Sequence, residues 1–224
     1  LPAYFEHKYR IVWSRIENVK YINQIKHKAV KEMLKYFKIE NGLEIHYDGD
    51  LPAKSGVGSS SAFVVGLMNI FCNIQGKKIS KKNLAKKSII FEQKILNEIV
   101  GSQDQVASVY GGFNKIKFKI NGDFTVKKIN LNKNKMETLN KNLLLVYTGY
   151  RRTAHDIAKS YVNKLKGAKE KNILKILSFV EEGEKILKNG NLNDFGKLLH
   201  ESWLEKKGLS SAISNSSIDE IYNI

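Results

Sequence analysis

The chain has 224 residues, 42% of them hydrophobic and 27% charged, with two prolines and one cysteine, Cys72. That length suits one large domain or two small ones whose core needs no staple, and a single thiol excludes both a disulfide framework and a cysteine-based zinc site. Lysine and arginine exceed aspartate and glutamate by 38 to 22, a net charge of +16, yet only Arg10, Arg15, Arg151 and Arg152 are arginines; dispersed lysines without arginine's planar fork argue against a nucleic-acid binder.

The opening, Leu1–His7, is neither a signal peptide nor an initiation site, and reads as a chain entered part-way. Tyr9–Trp13 reads as a strand. From Lys26 to Tyr36, Ala29, Val30, Met33 and Leu34 recur at helical spacing, with Phe37 beyond and a stop near Asn41-Gly42. Leu43–Asp48 alternates with period two, the pattern of a half-buried strand. A glycine- and serine-rich loop leads into an apolar stretch, Ala62–Cys72, and Ser80 is placed to N-cap a helix reaching Asn97. Lys115–Phe118 and Phe124–Ile129 form a hairpin around Asn121-Gly122, and Leu143–Tyr147 reads as a continuous apolar strand. From Thr153 the chain is helical in three pieces, broken near Gly167 and Asn189-Gly190. No apolar run reaches the ~18 residues of a membrane-spanning helix. The pattern is α+β, with a boundary near residue 140.

The strongest feature is Leu51-Pro-Ala-Lys-Ser-Gly-Val-Gly-Ser-Ser-Ser-Ala62. Glycines let backbone approach a ligand, and a helix start presents unpaired N–H groups and a positive dipole end, so together they suit phosphate. It is neither a Walker A loop nor the dinucleotide fingerprint, since Gly-Lys-Ser/Thr is missing and Gly-x-Gly runs into serines. A serine-rich cap of a core helix is the plainer alternative. Trp203, with Phe195, Leu198 and Leu199 at helical spacing, reads as core, and the five histidines show no metal-ligand spacing.

Pro-x-x-x-Gly-Val-Gly-Ser-Ser-Ser-Ala resembles the ATP-binding motif of the galactokinase, homoserine kinase, mevalonate kinase and phosphomevalonate kinase (GHMP) superfamily. Gly101-Ser-Gln-Asp-Gln-Val-Ala-Ser-Val-Tyr-Gly-Gly-Phe-Asn114, Tyr147–Ala154 and Leu199–Lys207 are similar to one branch, the D-glycero-D-manno-heptose 7-phosphate kinases. Lys54 and Val57 stand where the superfamily often has glycine and leucine. The resemblance implies an N-terminal ribosomal-protein-S5-like α/β domain over 1–140 and a ferredoxin-like domain over 141–224, with nucleotide lying between them. The early glycine-rich strand-turn segment and the late glycine-rich motif of the family are missing, so both domains are expected to be truncated.

By resemblance, Lys54, Ser55, Gly56, Val57, Gly58, Ser59, Ser60 and Ser61 wrap the ATP triphosphate. Ser60 and Glu92 ligate Mg²⁺, a chemically sensible pair for a cation that takes oxygen ligands alongside phosphate. Asp104 matches the catalytic base, although in isolation it reads as a loop aspartate capping a helix that begins at Gln105. Gly111, Gly112 and Arg152 would meet the substrate, the guanidinium serving a phosphate already on the sugar. The expected activity is transfer of the γ-phosphoryl of ATP to the anomeric hydroxyl of a heptose 7-phosphate, making the 1,7-bisphosphate for nucleotide-heptose synthesis. The alternatives are a GHMP kinase for another sugar and a catalytically silent nucleotide-binding relative. The expected partners are ATP and a phosphorylated sugar, without nucleic acid or membrane, in the cytoplasm; a homodimer is left open.

Overall fold

The computed structural model describes residues 7–50, 55–150 and 154–224, apart from the side chains of Ala154 and Asp156. The chain divides into two compact units, Leu1–Tyr110 and Gly111–Ile224.

In the first unit, β1 (Tyr9–Val12) pairs antiparallel with β2 (Ile16–Val19) and parallel with β3 (Leu43–His46), giving the order β2-β1-β3. Parallel pairing requires a crossover, and α1 (Lys28–Tyr36) lies within it. Tyr9 and Ile11, on one face of β1, are buried. Val30, Met33 and Leu34 of α1 meet them, as do Val64, Leu67, Met68, Phe71 and Cys72 of α2 (Ser59–Ile74). The last five follow the i, i+3, i+4 rule, so one stripe of α2 builds the core. The Gln75 amide donates to the Phe37 carbonyl over 2.7 Å, tying the ends of α1 and α2.

Ser80 caps α3 (Lys81–Ile90) as expected, its hydroxyl accepting from the Asn83 N–H. The helix does not run evenly to Asn97. It widens into a π-helical turn, Phe91–Ile95, and Asn97 stops it with a φ of +53°. Such a turn inserts extra backbone and re-aims side chains, and is frequent at functional sites. After it, α4 (Gln103–Tyr110) closes the unit.

The second unit opens with the hairpin of β4 (Asn114–Phe118) and β5 (Phe124–Lys128), followed by α5 (Lys133–Lys141), α6 (Ala154–Tyr161), α7 (Glu170–Asn189), α8 (Leu192–Lys207) and α9 (Ser216–Tyr222). The division falls ahead of residue 140 because the hairpin is bound to α7. Lys115, Lys127 and Lys188 place their ammonium groups 2.8, 3.1 and 2.6 Å from the Glu184 carboxylate. Asn172 of α7 donates to Glu205 of α8 over 2.8 Å.

Two expectations for this unit change. Leu143–Tyr147 is not a strand: its backbone is irregular, and Leu144 and Leu145 are 87% and 82% exposed. A continuous apolar run forms a strand only beside partner strands, and none flanks it among the described residues. Leu198 is core, whereas Trp203 is half-buried with its ring 5.7 Å from Tyr222. His200, exposed, sits 3.0 Å from the Tyr222 hydroxyl.

Phe71 is 1% exposed at the centre of the first core. Phe71→Ala should cost about 3–5 kcal/mol, the usual range for a buried aromatic, read by denaturant unfolding. The three ammonium groups hold the Glu184 carboxyl well below the usual carboxylate range, Lys115 contributing most. A depressed folded pKa gives stability that is present above the unfolded value of about 4.3 and lost as pH falls below it. Glu184→Gln should therefore lower the thermal midpoint at neutral pH and flatten its decline in acid.

Candidate active site

The loop is described from Ser55 onward and runs directly into α2. Gly56 and Gly58 take φ of +84° and +74°, a region glycine enters without the steric cost other residues meet. Gly58, the N-cap of α2, has no side chain to cap the helix, and no side-chain bond to its first N–H groups is found among the described residues. Ser59, Ser60 and Ser61 form its first turn instead of standing ahead of it as caps, and that turn contains no acidic residue. The first N–H groups of a 16-residue helix are thus left open to an anion. Val57 is exposed, and the Ser55 hydroxyl is buried without a partner among the described residues. Lys54 lies outside the described residues.

Aromatic rings support this helix start. The Tyr47 ring lies 4.4 Å from Phe63 of α2, and His27 lies 5.2 Å from Phe63 and 4.9 Å from Trp13. Burial pushes the His27 imidazole below its ordinary pKa, against the pull of Glu17. The neutral ring can then accept the Val30 N–H at the start of α1. Each ring comes from a different stretch of chain, so no local pattern announced the cluster.

Glu92, on the π-helical turn, is 1% exposed. The Ser61 hydroxyl donates to its Oε2 over 3.0 Å, and the Gln105 amide donates to the same oxygen. Gln105 also reaches the Ser61 hydroxyl, at 3.2 Å. Burial pushes the Glu92 carboxyl up to about 7; the Ser61 bond opposes this, and the charges of Glu98 and Asp104 add to it. The serine brought to Glu92 is therefore Ser61, while Ser60, one residue earlier and exposed, points elsewhere around the helix. Gln105, whose only signal in the sequence is its place beside Asp104, is fully buried.

Asp104 is not a loop residue. It is the second residue of α4, half-buried, and its carboxylate faces the glycine loop. A methyl group placed on Gly58 would lie 3.3 Å from the Asp104 Cγ and 3.5 Å from its Oδ2. The structure thus brings together the loop, the open end of α2, Asp104 and Glu92. Gly111 and Gly112, exposed in the second unit, have φ of +62° and +73°, and no described atom lies within 4 Å of where either side chain would begin. Arg152 and its neighbour Arg151 lie outside the described residues.

Among the described residues, no three histidine, cysteine, aspartate or glutamate side chains are grouped to hold a metal. The donor set fits a cation that arrives with phosphate, because Mg²⁺ on a nucleotide commonly takes only one or two protein carboxylates. Glu92 is a buried carboxylate whose bonds fall on Oε2, leaving Oε1 for such a cation.

Residues 22–112 match the GHMP kinases N terminal domain. The chain is 30% identical over 183 residues to the D-glycero-alpha-D-manno-heptose 7-phosphate kinase of Campylobacter jejuni, covering 80% of this chain and 53% of that protein. It is 25% identical over 196 residues to the bifunctional fucokinase/GDP-fucose pyrophosphorylase of Arabidopsis thaliana, covering 83% of this chain and 18% of that one. Its fold resembles the crystal structure of a D-glycero-D-manno-heptose 1-phosphate kinase from Bacteroides thetaiotaomicron, with a TM-score of 0.72 at 21% identity, covering 89% of this chain and 63% of that one. The chain spans about half the length of the Campylobacter relative.

Among the described residues, a side chain at Gly56 meets nothing within 4 Å, whereas one at Gly58 meets Asp104. Gly56→Ala should cost about 1–2 kcal/mol of left-handed strain and no more. Gly58→Ala should add a displaced carboxylate to that strain, and thermal unfolding of the two variants should rank Gly58→Ala as the less stable.

Proposed function

We propose that this chain, whose residues 22–112 match the GHMP kinases N terminal domain, belongs to an ATP-dependent sugar kinase. Its acceptor is the anomeric hydroxyl of D-glycero-D-manno-heptose 7-phosphate, and its product is the 1,7-bisphosphate. The observation that carries this reading is the packing of the Asp104 carboxylate against Gly58. It sets an acceptor of protons beside the loop and the open helix end, where a triphosphate fits.

In this mechanism Ser55–Ser61 and the first N–H groups of α2 cradle the triphosphate. Glu92 would hold Mg²⁺, with Ser61 fixing the glutamate, while Ser60, exposed and turned away from that carboxylate, would serve the triphosphate instead of sharing the metal. The cation supplies neutralisation of charge on the phosphate oxygens. Asp104 orients the sugar hydroxyl and accepts its proton as the phosphoryl group leaves ATP. Gly111 and Gly112 leave room for the sugar, and Arg152 takes its 7-phosphate as a bidentate partner. Positioning and electrostatics do most of the catalysis, and little covalent chemistry falls to the protein. This reading puts the enzyme in the cytoplasm. Among the described residues no helix is long and apolar enough to cross a membrane.

A second acceptor is favoured by one observation. Similarity to a fucokinase extends over 83% of this chain, so the same machinery can serve another sugar.

The test is ADP release by the full-length protein with Mg·ATP, offering heptose 7-phosphate beside unphosphorylated heptose and fucose. Turnover is expected with the phosphorylated heptose, and Asp104→Ala should lower kcat by about 10²–10⁴-fold, the usual contribution of a positioned base. Turnover with fucose instead would move the acceptor and keep the class. Nucleotide binding without turnover on any sugar would leave a silent relative.

A further inference from the structure

Asp104 and Gln105 are consecutive on α4, so their side chains leave the helix about 100° apart. Asp104 turns to Gly58 at the loop. Gln105 turns inward, is 0% exposed, and bonds both Glu92 on the π-helical turn and Ser61 on α2. One amide therefore joins three elements: the helix of the base, the turn carrying the buried carboxylate, and the helix that follows the loop.

Packing alone does not explain a glutamine there. Burying an amide costs free energy unless its groups are bonded. The Gln105 Oε1 is buried and has no partner among the described residues. Leucine or methionine would fill a similar volume without that cost. The contacts are also directed, since the amide donates to Oε2 of Glu92 and leaves Oε1 without a bond from it.

We propose that Gln105 is a positioning residue, acting through Glu92, that aims the free Oε1 of this carboxylate at the metal accompanying the nucleotide and locks the helix of Asp104 to the same frame. The inference rests on the kinase reading above. Gln105 touches neither nucleotide nor sugar; it sets the direction of a group that does. Partners that orient a metal-binding side chain in this way commonly contribute about 10–100-fold to metal affinity or activity.

The experiment compares Gln105→Met, Glu92→Gln and the double variant in the full chain, measuring affinity for ATP in EDTA and for Mg·ATP. Methionine keeps the volume and removes the amide. Gln105→Met should leave ATP binding in EDTA unchanged and reduce the gain brought by Mg²⁺ about tenfold or more. In the Glu92→Gln background the same substitution should change that gain by about twofold at most, because coupled residues are non-additive. If Gln105→Met loses its cooperative thermal transition, Gln105→Asn, whose amide is too short to bridge, is read in the same way. Equal losses with and without Mg²⁺, or full additivity with Glu92→Gln, would reduce Gln105 to a packing residue and overturn the proposal. Wild-type protein that binds no nucleotide would overturn the kinase reading and this inference with it, and that result appears before any substitution is made.

Discussion

The uncapped start of α2 is the constraint around which the first unit is arranged. A helix leaves its first N–H groups without intrahelical partners, and proteins usually satisfy them with a serine, threonine, aspartate or asparagine side chain. Here serines are at hand but occupy the first turn, because Gly58 takes the cap position in a left-handed conformation. The helix is held in place from elsewhere. Its apolar stripe from Val64 to Cys72 is buried in the core, and Tyr47 and His27 brace Phe63 near the first turn. A firmly held helix can keep an open, positive end for a ligand, since the core more than offsets what the missing cap costs.

Two buried glutamates show how environment separates function from architecture. Glu184 is surrounded by three lysine ammonium groups, which favour its charged form, and two of them, Lys115 and Lys127, bind the hairpin to α7. Among the described residues Glu92 receives only neutral donors, from Ser61 and Gln105, and burial drives its carboxyl in the opposite direction. The first has its counter-charges within the fold. The second is a desolvated carboxylate with the charges of Glu98 and Asp104 nearby, which suits the metal-binding role proposed for it. The π-helical turn belongs to the same construction, since it interrupts the even pitch of α3 where Glu92 must face inward.

The parts of the molecule legible in the sequence are those governed by neighbouring residues. Tyr9–Trp13 read as a strand, alternation marked β3, 3.6-residue spacing marked α1, an apolar stretch marked α2, Ser80 marked a helix start, and Asn121-Gly122 marked a hairpin. The glycine loop announced itself because a left-handed backbone has few residue choices. Where pairing or packing decides, local pattern failed. β2 is four residues long and is a strand because it lies beside β1. Leu143–Tyr147 has the composition of a strand and lacks a neighbour among the described residues.

The same division runs through the candidate site. Sequence alone determined the chemical inventory: a glycine-serine loop before a helix, an aspartate in a glycine-bounded segment, a helical glutamate, and few arginines. Tertiary structure decided which of them meet. Ser61, not Ser60, reaches Glu92 across 31 residues of chain, and Gln105 joins Ser61 across 44. Asp104 proved to lie on a helix, facing Gly58. A residue's type and its near neighbours limit backbone angles and chemistry. The direction in which a side chain leaves its element, and what it finds there, depend on how the core packs, and that is a property of the whole unit.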